Sequence, residues 1–195
     1  EGGKGTVTVI NVGESNTEAT IRKALATGAD DAVRVNAAPR DAWFVAHQVA
    51  NYAKDKEFDL ILTGRESIDY NGSQVAAFVG ELLGIPSVST AKKIEITGDT
   101  ATVEREIEGG KEVLAIPLPL IAGTAEGVAE PRIPNMRGIM SARAKPLAVI
   151  DAIDVPVLSA VVKYETPEPR GTVTLVDAGD VEKLIDLLHN QARVI

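Results

Sequence analysis

Between residues 6 and 83 the sequence alternates short β-branched runs with segments of helical spacing, and this alternation limits the fold most. Thr6-Val7-Thr8-Val9-Ile10-Asn11-Val12, bounded by Gly13, reads as a buried strand. Ser15 with Glu18 three positions on matches a capping box, Ile21, Ala24 and Leu25 follow at helical spacing, and Gly28 is the stop. Asp30-Asp31 reads as a turn and Ala32–Val35 as the next strand. Asp41 opens a helix whose small apolar face is Ala42, Val45, Ala46, Val49, Ala50 and Ala53. Trp43 and Phe44 lie off that stripe and are expected against another layer or chain. Phe58-Asp59-Leu60-Ile61-Leu62 is apolar but for Asp59, and reads as a parallel strand covered on both faces. A helix from about Ser73 carries Val75, Phe78, Val79, Leu82 and Leu83, with Gly84 at its end and Pro86 beyond. Strands alternating with helices of this length predict an α/β fold with a largely parallel sheet.

The period then changes. Lys92–Thr97, Thr100–Ile107 and Lys111–Ile116 alternate at period two, separated by Gly98-Asp99 and Glu108-Gly109-Gly110, which predicts an antiparallel hairpin excursion. Leu118–Gly123 reads as a return strand, and 131–146 as a Pro-bounded loop with a short helix. Beyond it lie Val155-Pro156, Thr166-Pro167-Glu168-Pro169, a strand-like Gly171–Val176 and an amphipathic helix with Val181, Leu184, Ile185 and Leu188. The Pro spacing predicts an arm leaving the main body. The expected division is a main domain over 1–154 and a C-terminal arm over 155–195.

Composition removes several classes. The 195 residues suit one domain, or one with an appendage, and the 45% hydrophobic share argues against disorder. No run approaches the ~20 apolar residues of a membrane span. With no Cys there is no disulfide, thiolate metal site or thiol nucleophile; a reducing compartment fits. Two His leave little material for a His-based metal site or triad; His47 lies mid-helix and His189 near a helix end. The net charge of −8 argues against a broad nucleic-acid surface. The opening Glu1-Gly2-Gly3-Lys4-Gly5 lacks the basic and apolar regions of a signal peptide and reads as the approach to an internal strand.

Two segments can carry chemistry. Gly64-Arg65-Glu66-Ser67-Ile68-Asp69-Tyr70-Asn71-Gly72-Ser73-Gln74-Val75 joins a strand's C-terminal end to a helix N-terminus, the edge where open α/β sheets bind ligands. It is longer than the usual 2–6 residues of such loops. Gly72 would admit a phosphate to the backbone, and Ser73 and Gln74 could bond it. An ordinary polar connection with Ser73 as N-cap fits the residues equally well. The loop is neither a Walker A nor a GxGxxG fingerprint. Val12 and Gly13 end the first strand at the same edge, where they could form a facing wall or a plain turn. The second segment is Arg132-Ile133-Pro134-Asn135-Met136-Arg137-Gly138-Ile139-Met140-Ser141-Ala142-Arg143-Ala144-Lys145. It has four basic residues, no acidic one, and both Met residues of the chain. Met adapts to partner surfaces, so the segment as a whole reads as protein docking. Singly, its residues suit a short helix with Ile139 and Met140 inward and Arg143 solvated. No catalytic constellation emerges from the spacing, and no enzyme activity is expected.

These motifs resemble the β subunit of electron transfer flavoprotein. The resemblance runs through Ile21–Asp30, Gly64–Gln74, Val103–Gly110, Glu130–Met140 and the C-terminal tail, in that order; Glu104-Arg105-Glu106-Ile107 with Gly109-Gly110 and Glu130-Pro131-Arg132 with Ile139-Met140 are its most specific parts. It implies an adenine-nucleotide-binding, Rossmann-like fold that buries an AMP, and a heterodimer with an α subunit that holds a redox-active FAD. The AMP loop falls on Gly64 to Val75, with Val12 and Gly13 opposite. The loop that docks on flavin-dependent dehydrogenases falls on Arg132 to Ser141, its protruding apolar anchor on Met136. The tail is expected to wrap onto the α subunit, in the cytoplasm of a bacterium.

Three departures qualify the match. Gln74-Val75-Ala76 stands where Gln-Thr-Gly is common, which removes a phosphate contact but leaves backbone N–H groups. Asn135-Met136-Arg137-Gly138 stands where Leu-Pro-Asn is common, which points to a different donor set such as the amine dehydrogenases. The family also has a strand, helix and loop ahead of the point matching Glu1, so part of the AMP site is expected to lie outside this sequence. The alternatives are a bifurcating form with a second FAD in the AMP site, a universal-stress-type ATP-binding module, and an adenylate-forming or pyrophosphatase enzyme, for which the phosphate and metal signatures are missing.

Overall fold

The computed structural model describes residues 5–68 and 71–195. Two compact units divide between Ala160 and Val161. The first contains β1 (Thr8–Val12), α1 (Glu18–Thr27), β2 (Asp31–Asn36), α2 (Ala42–Ala53), β3 (Leu60–Gly64) and α3 (Val75–Leu83). It continues with β4 (Ser87–Thr97), β5 (Thr100–Ile107), β6 (Gly110–Pro117), β7 (Leu120–Thr124), α4 (Met136–Ala142) and β8 (Leu147–Asp151). This is the α/β architecture that the sequence predicts.

The strands form two sheets. One is all parallel in the order β1-β2-β8; the other is mixed, in the order β3-β7-β4-β5-β6. β3, β7 and the start of β4 pair in parallel, and β4, β5 and β6 form the antiparallel excursion. β8, which the sequence reading passed over, pairs with β2 from Ala32↔Leu147 to Asn36↔Asp151. Its β-branched run is short and follows Pro146, so it reads as loop until β2 supplies a partner. Among the described residues β1 pairs only with β2, and β3 only with β7. A slot of about 430 Å³ lies between those two edges, lined by Thr6–Ile10, Leu60–Leu62 and Val49, Tyr52 and Ala53 of α2. β3 is therefore not covered on both faces as expected: Leu62 is 53% exposed.

α1, α2 and α3 bury residues of the faces their spacing predicts. α1 packs Ile21 and Leu25 against Ala29, Ala32 and Ala142. Phe44 of α2 is fully buried with Val12, Val35 and Val155, and Trp43 meets Phe78 of α3 edge-on at 5.5 Å. Both off-stripe aromatics thus serve the core of their own chain. Ala46 packs with Ala76, Val79 and Ile121, while Val88, Ala91, Ala101, Val103, Leu120 and Ala122 form the core of the mixed sheet.

Several local expectations are corrected. The capping box does not form. Ser15–Thr17 is a 3₁₀ turn, no side chain caps α1, and the Glu18 carboxylate instead accepts from Arg34 Nε at 3.1 Å. A buried cation outcompetes the local cap. Asp31 already belongs to β2, and Asp30 accepts the Val7 N–H. α3 begins at Val75, because Ser73 is left-handed at φ +50° and cannot lie in a helix. At α2 the cap works: Asp41 Oδ1 accepts the Phe44 N–H at 2.7 Å, and Oδ2 accepts those of Leu158 and Ser159 at 2.8 and 3.0 Å. One carboxylate thereby starts a helix and ties residues 158 and 159 to the main body.

The second unit, 161–195, has α5 (Val181–Asp186) capped by Asp180 and followed by a π-helical turn, Leu187–Ala192. Gly171–Val176 forms no strand; a β-branched run without a neighbouring strand has nothing to pair with. Val162, Tyr164, Val173 and Leu175 are exposed. No helix among the described residues is long and apolar enough to cross a membrane.

Candidate nucleotide loop and docking segment

Gly13 follows β1 with Asn11 and Thr17 packed close against it: a Cβ would lie 2.6 Å from Asn11 Oδ1 and 2.7 Å from Thr17 Cγ2, so those side chains would have to shift. Its N–H donates to Val35 O at 3.0 Å. From behind, the 5% exposed Arg34 donates through Nη1 to Gly13 O at 2.9 Å and to Asn36 Oδ1 at 2.8 Å. Hydrogen bonds to its carboxylate and carbonyl partners make burial of that charge tolerable. The Val12–Gly13 wall is therefore rigid. Beside it, Asn11 Oδ1 is buried and accepts no hydrogen bond in the structure.

The loop after β3 is built differently. Asn71 and Ser73 are both left-handed, at φ +48° and +50°, a conformation that costs non-glycine residues roughly 1 kcal/mol. The Asn71 N–H donates to Ser67 O at 2.8 Å. Ser73 Oγ donates to Glu66 Oε2 at 2.9 Å, and Arg65 donates to Glu66 Oε1. Those bonds, Arg65's first and then Ser73's, hold the Glu66 carboxyl below its usual range. Gln74 is the N-cap of α3, but its side chain makes no capping bond, and among the described residues no side chain caps the first-turn N–H groups. Uncapped N–H groups, a cation and a hydroxyl favour an anion; the Glu66 carboxylate already occupies the hydroxyl. Ile68 is exposed. Asp69 and Tyr70, which the resemblance also assigns to the AMP loop, lie outside the described residues.

The basic segment forms α4 and its approach. Asn135 caps α4 by accepting the Gly138 N–H at 2.8 Å. Two cations then staple it to α1: Arg22 Nη1 donates to Ala142 O at 2.8 Å and Lys145 O at 2.7 Å, while Lys145 Nζ reaches back to Leu25 O at 3.0 Å and to Ala29 O. The end of α4 is thus capped from α1 by Arg22, and the end of α1 by Lys145 just past α4, where a cation is favourable. Gly138 permits the approach, for a Cβ there would lie 2.6 Å from Ala26 O. With the helices clamped, Ile133 (94%) and Met136 (72%) stand exposed, as do Ile139 and Met140. Only Ala142 of α4 is fully buried, so the inward packing expected of Met140 is not seen. Sequence reasoning missed the paired caps and Arg34 because each joins positions far apart in sequence. Among the described residues no three His, Cys, Asp or Glu gather to hold a metal ion.

A mostly parallel α/β core with a glycine after its first strand and a clamped helix that exposes apolar and basic side chains is consistent with a nucleotide-type α/β fold. Comparison with known proteins makes the class specific. The family model described as "Electron transfer flavoprotein domain" matches residues 1–155. The electron transfer flavoprotein subunit beta of Bacillus subtilis (strain 168) is 36% identical over 205 aligned residues, covering 98% of this chain and 80% of that protein. The subunit beta of Bradyrhizobium diazoefficiens is 33% identical, covering 100% and 80%, and that of Syntrophomonas wolfei is 31% identical, covering 96% and 76%. The chain belongs to the electron transfer flavoprotein β-subunit family. A universal-stress-type module finds no support in these matches.

Proposed function

We propose that this chain works as an electron-carrier subunit without bond chemistry of its own. It pairs with an α subunit that holds the redox-active FAD, accepts electrons from flavin-dependent dehydrogenases of acyl-CoA or amine type, and passes them onward. The family match over residues 1–155 carries this reading. AMP is the structural ligand, between Val12–Gly13 and the loop Gly64–Val75. The unpartnered Asn11 Oδ1 beside Gly13 suits a hydrogen-bond donor of the nucleotide, and the uncapped first turn of α3 suits its phosphate. Val75 and Ala76 supply no hydroxyl, so Arg65, Ser73 and backbone N–H groups would hold the phosphate. FAD supplies the one-electron chemistry when bound; this chain's residues position the partners. The apolar side chains of the arm, from Val162 to Leu175, suit packing on the α subunit. The cytoplasm is the proposed compartment.

The test is to co-express the chain with a candidate α subunit and identify the extracted nucleotides. One FAD and one AMP are expected. Two FAD would replace the AMP assignment with a bifurcating subunit, and ATP on a homodimer without an α partner would overturn the carrier reading. For docking, Met136→Ala should slow reduction by the donor dehydrogenase at least several-fold and leave the flavin spectrum intact. Unchanged transfer kinetics would remove Met136 from that role.

A further inference from the structure

A groove of about 600 Å³ runs between α1 and α4. Its apolar floor includes Ala19 and Ala26 of α1 with Ile139 and Ala142 of α4, and its rim carries Arg22, Lys23 and Arg143. Among the described residues no carboxylate lines it. The nearest acid on α1's first turn, Glu18, is spent on the buried Arg34. Arg22 is fixed by the carbonyls it caps, whereas among the described residues Lys23 and Arg143 line the groove without an ion pair. In a chain of net charge −8, an apolar trough rimmed only by cations is a local reversal of sign. Ile139 lies on the helix that exposes Met136 and Met140, so the groove continues the proposed docking surface.

We infer that this groove receives an apolar segment flanked by carboxylates on the electron-donating dehydrogenase, and that Lys23 of α1 is a docking residue. The inference rests on the proposed role of α4 in docking. Charge complementarity carries it: cations at the rim of an apolar cleft raise the encounter rate with an acidic surface and select against a basic one. The floor takes apolar side chains while the rim stays wet, the usual layout of a protein interface. α1 thereby becomes the second wall of the docking site as well as the support of α4.

The test uses the complete αβ complex, with an acyl-CoA dehydrogenase and an amine dehydrogenase as separate donors. Bimolecular reduction rates are measured at low and at high salt for wild type, Lys23→Glu and Ala19→Trp. Lys54→Glu, an exposed charge reversal at the far end of α2, is the control. For whichever donor reduces the wild type, Lys23→Glu should slow reduction by about 10-fold at low salt and by less than about 2-fold at high salt, because screening removes the steering. Ala19→Trp should slow it at both salts by filling the trough, and Lys54→Glu should stay within about 2-fold of wild type. Equal rates for Lys23→Glu and wild type at low salt, or equal slowing by Lys54→Glu, would overturn the inference while leaving α4 docking intact. If neither donor reduces the wild-type complex, the donor reading fails, and this inference with it.

Discussion

The loop between β3 and α3 and the segment around α4 are both candidate sites, yet they are held in opposite ways. α4 is fixed by cations reaching between helices, Arg22 to Ala142 O and Lys145 O, and Lys145 to Leu25 O and Ala29 O. The loop is fixed by its own exposed side chains, Arg65 and Ser73 on Glu66, and keeps two non-glycine residues left-handed. Long-range bonds to backbone carbonyls resist local change, whereas exposed ion pairs contribute little. A docking surface gains from being set before the partner arrives. A ligand loop can exchange its internal bonds for bonds to the ligand, and here Glu66 must give up Ser73 before a phosphate can take that hydroxyl.

The first way to break the contrast is to pry α4 from α1. In Gly138→Val the new Cβ falls 2.6 Å from a backbone oxygen, which cannot swing aside as a side-chain tip would. Overpacking of this kind costs about 3 kcal/mol, read as a lower urea midpoint with unchanged slope. A loss under about 0.5 kcal/mol would mean that α4 is held no more firmly than the loop.

A second test compares two carboxylates whose pKa values both lie below the ordinary range. Burial would raise the Asp41 carboxyl, but N–H donations from Phe44, Ser159 and Leu158 outweigh it. Glu66 is lowered by Arg65 and Ser73 near the surface. A depressed folded pKa contributes stability that is fully present above the unfolded value, 3.8 for Asp41, and is lost as pH falls through the lower folded value. Urea midpoints should therefore fall below about pH 4, and Asp41→Asn should flatten that fall. Asp41→Ala at neutral pH should cost about 2 kcal/mol through the lost cap and the freed N–H groups of 158 and 159. Glu66→Gln should change the midpoint far less at every pH, because its bonds are to exposed partners within the loop, where solvent screens them.

The difference between the regions also governs what the sequence reveals. The βαβ alternation, the hairpin and the place of both segments were legible because they follow from spacing within about ten residues. The capping box at Ser15 and Glu18 failed because Arg34, sixteen residues on, claims the carboxylate. β8 was missed and Gly171–Val176 overread for one reason: strand formation depends on a partner that the local run does not name. The division into two sheets was hidden too, since alternation marks where parallel strands fall but not whether β1 and β3 adjoin. At the sites, composition singled out the candidate docking segment, but its caps join residues 120 positions apart.

The smallest effect is expected at Ser73, and it decides whether the loop is as weakly committed as its bonding suggests. Ser73→Gly removes one exposed hydrogen bond, to Glu66, which favours the wild type. It also removes the penalty of a left-handed serine at φ +50°, which favours the variant. The variant's unfolded chain gains backbone freedom, a cost of the same order as the relieved strain. The three effects nearly cancel, and the urea midpoint should correspond to within about 0.5 kcal/mol of wild type. Amide exchange should nevertheless quicken at Asn71 through Gln74 and stay unchanged at Gly138 through Ala142, because among the described residues the first stretch is bonded within the loop and to the first turn of α3. A drop of more than about 1 kcal/mol would show that the loop carries part of the fold. The contrast with α4 would then be one of degree.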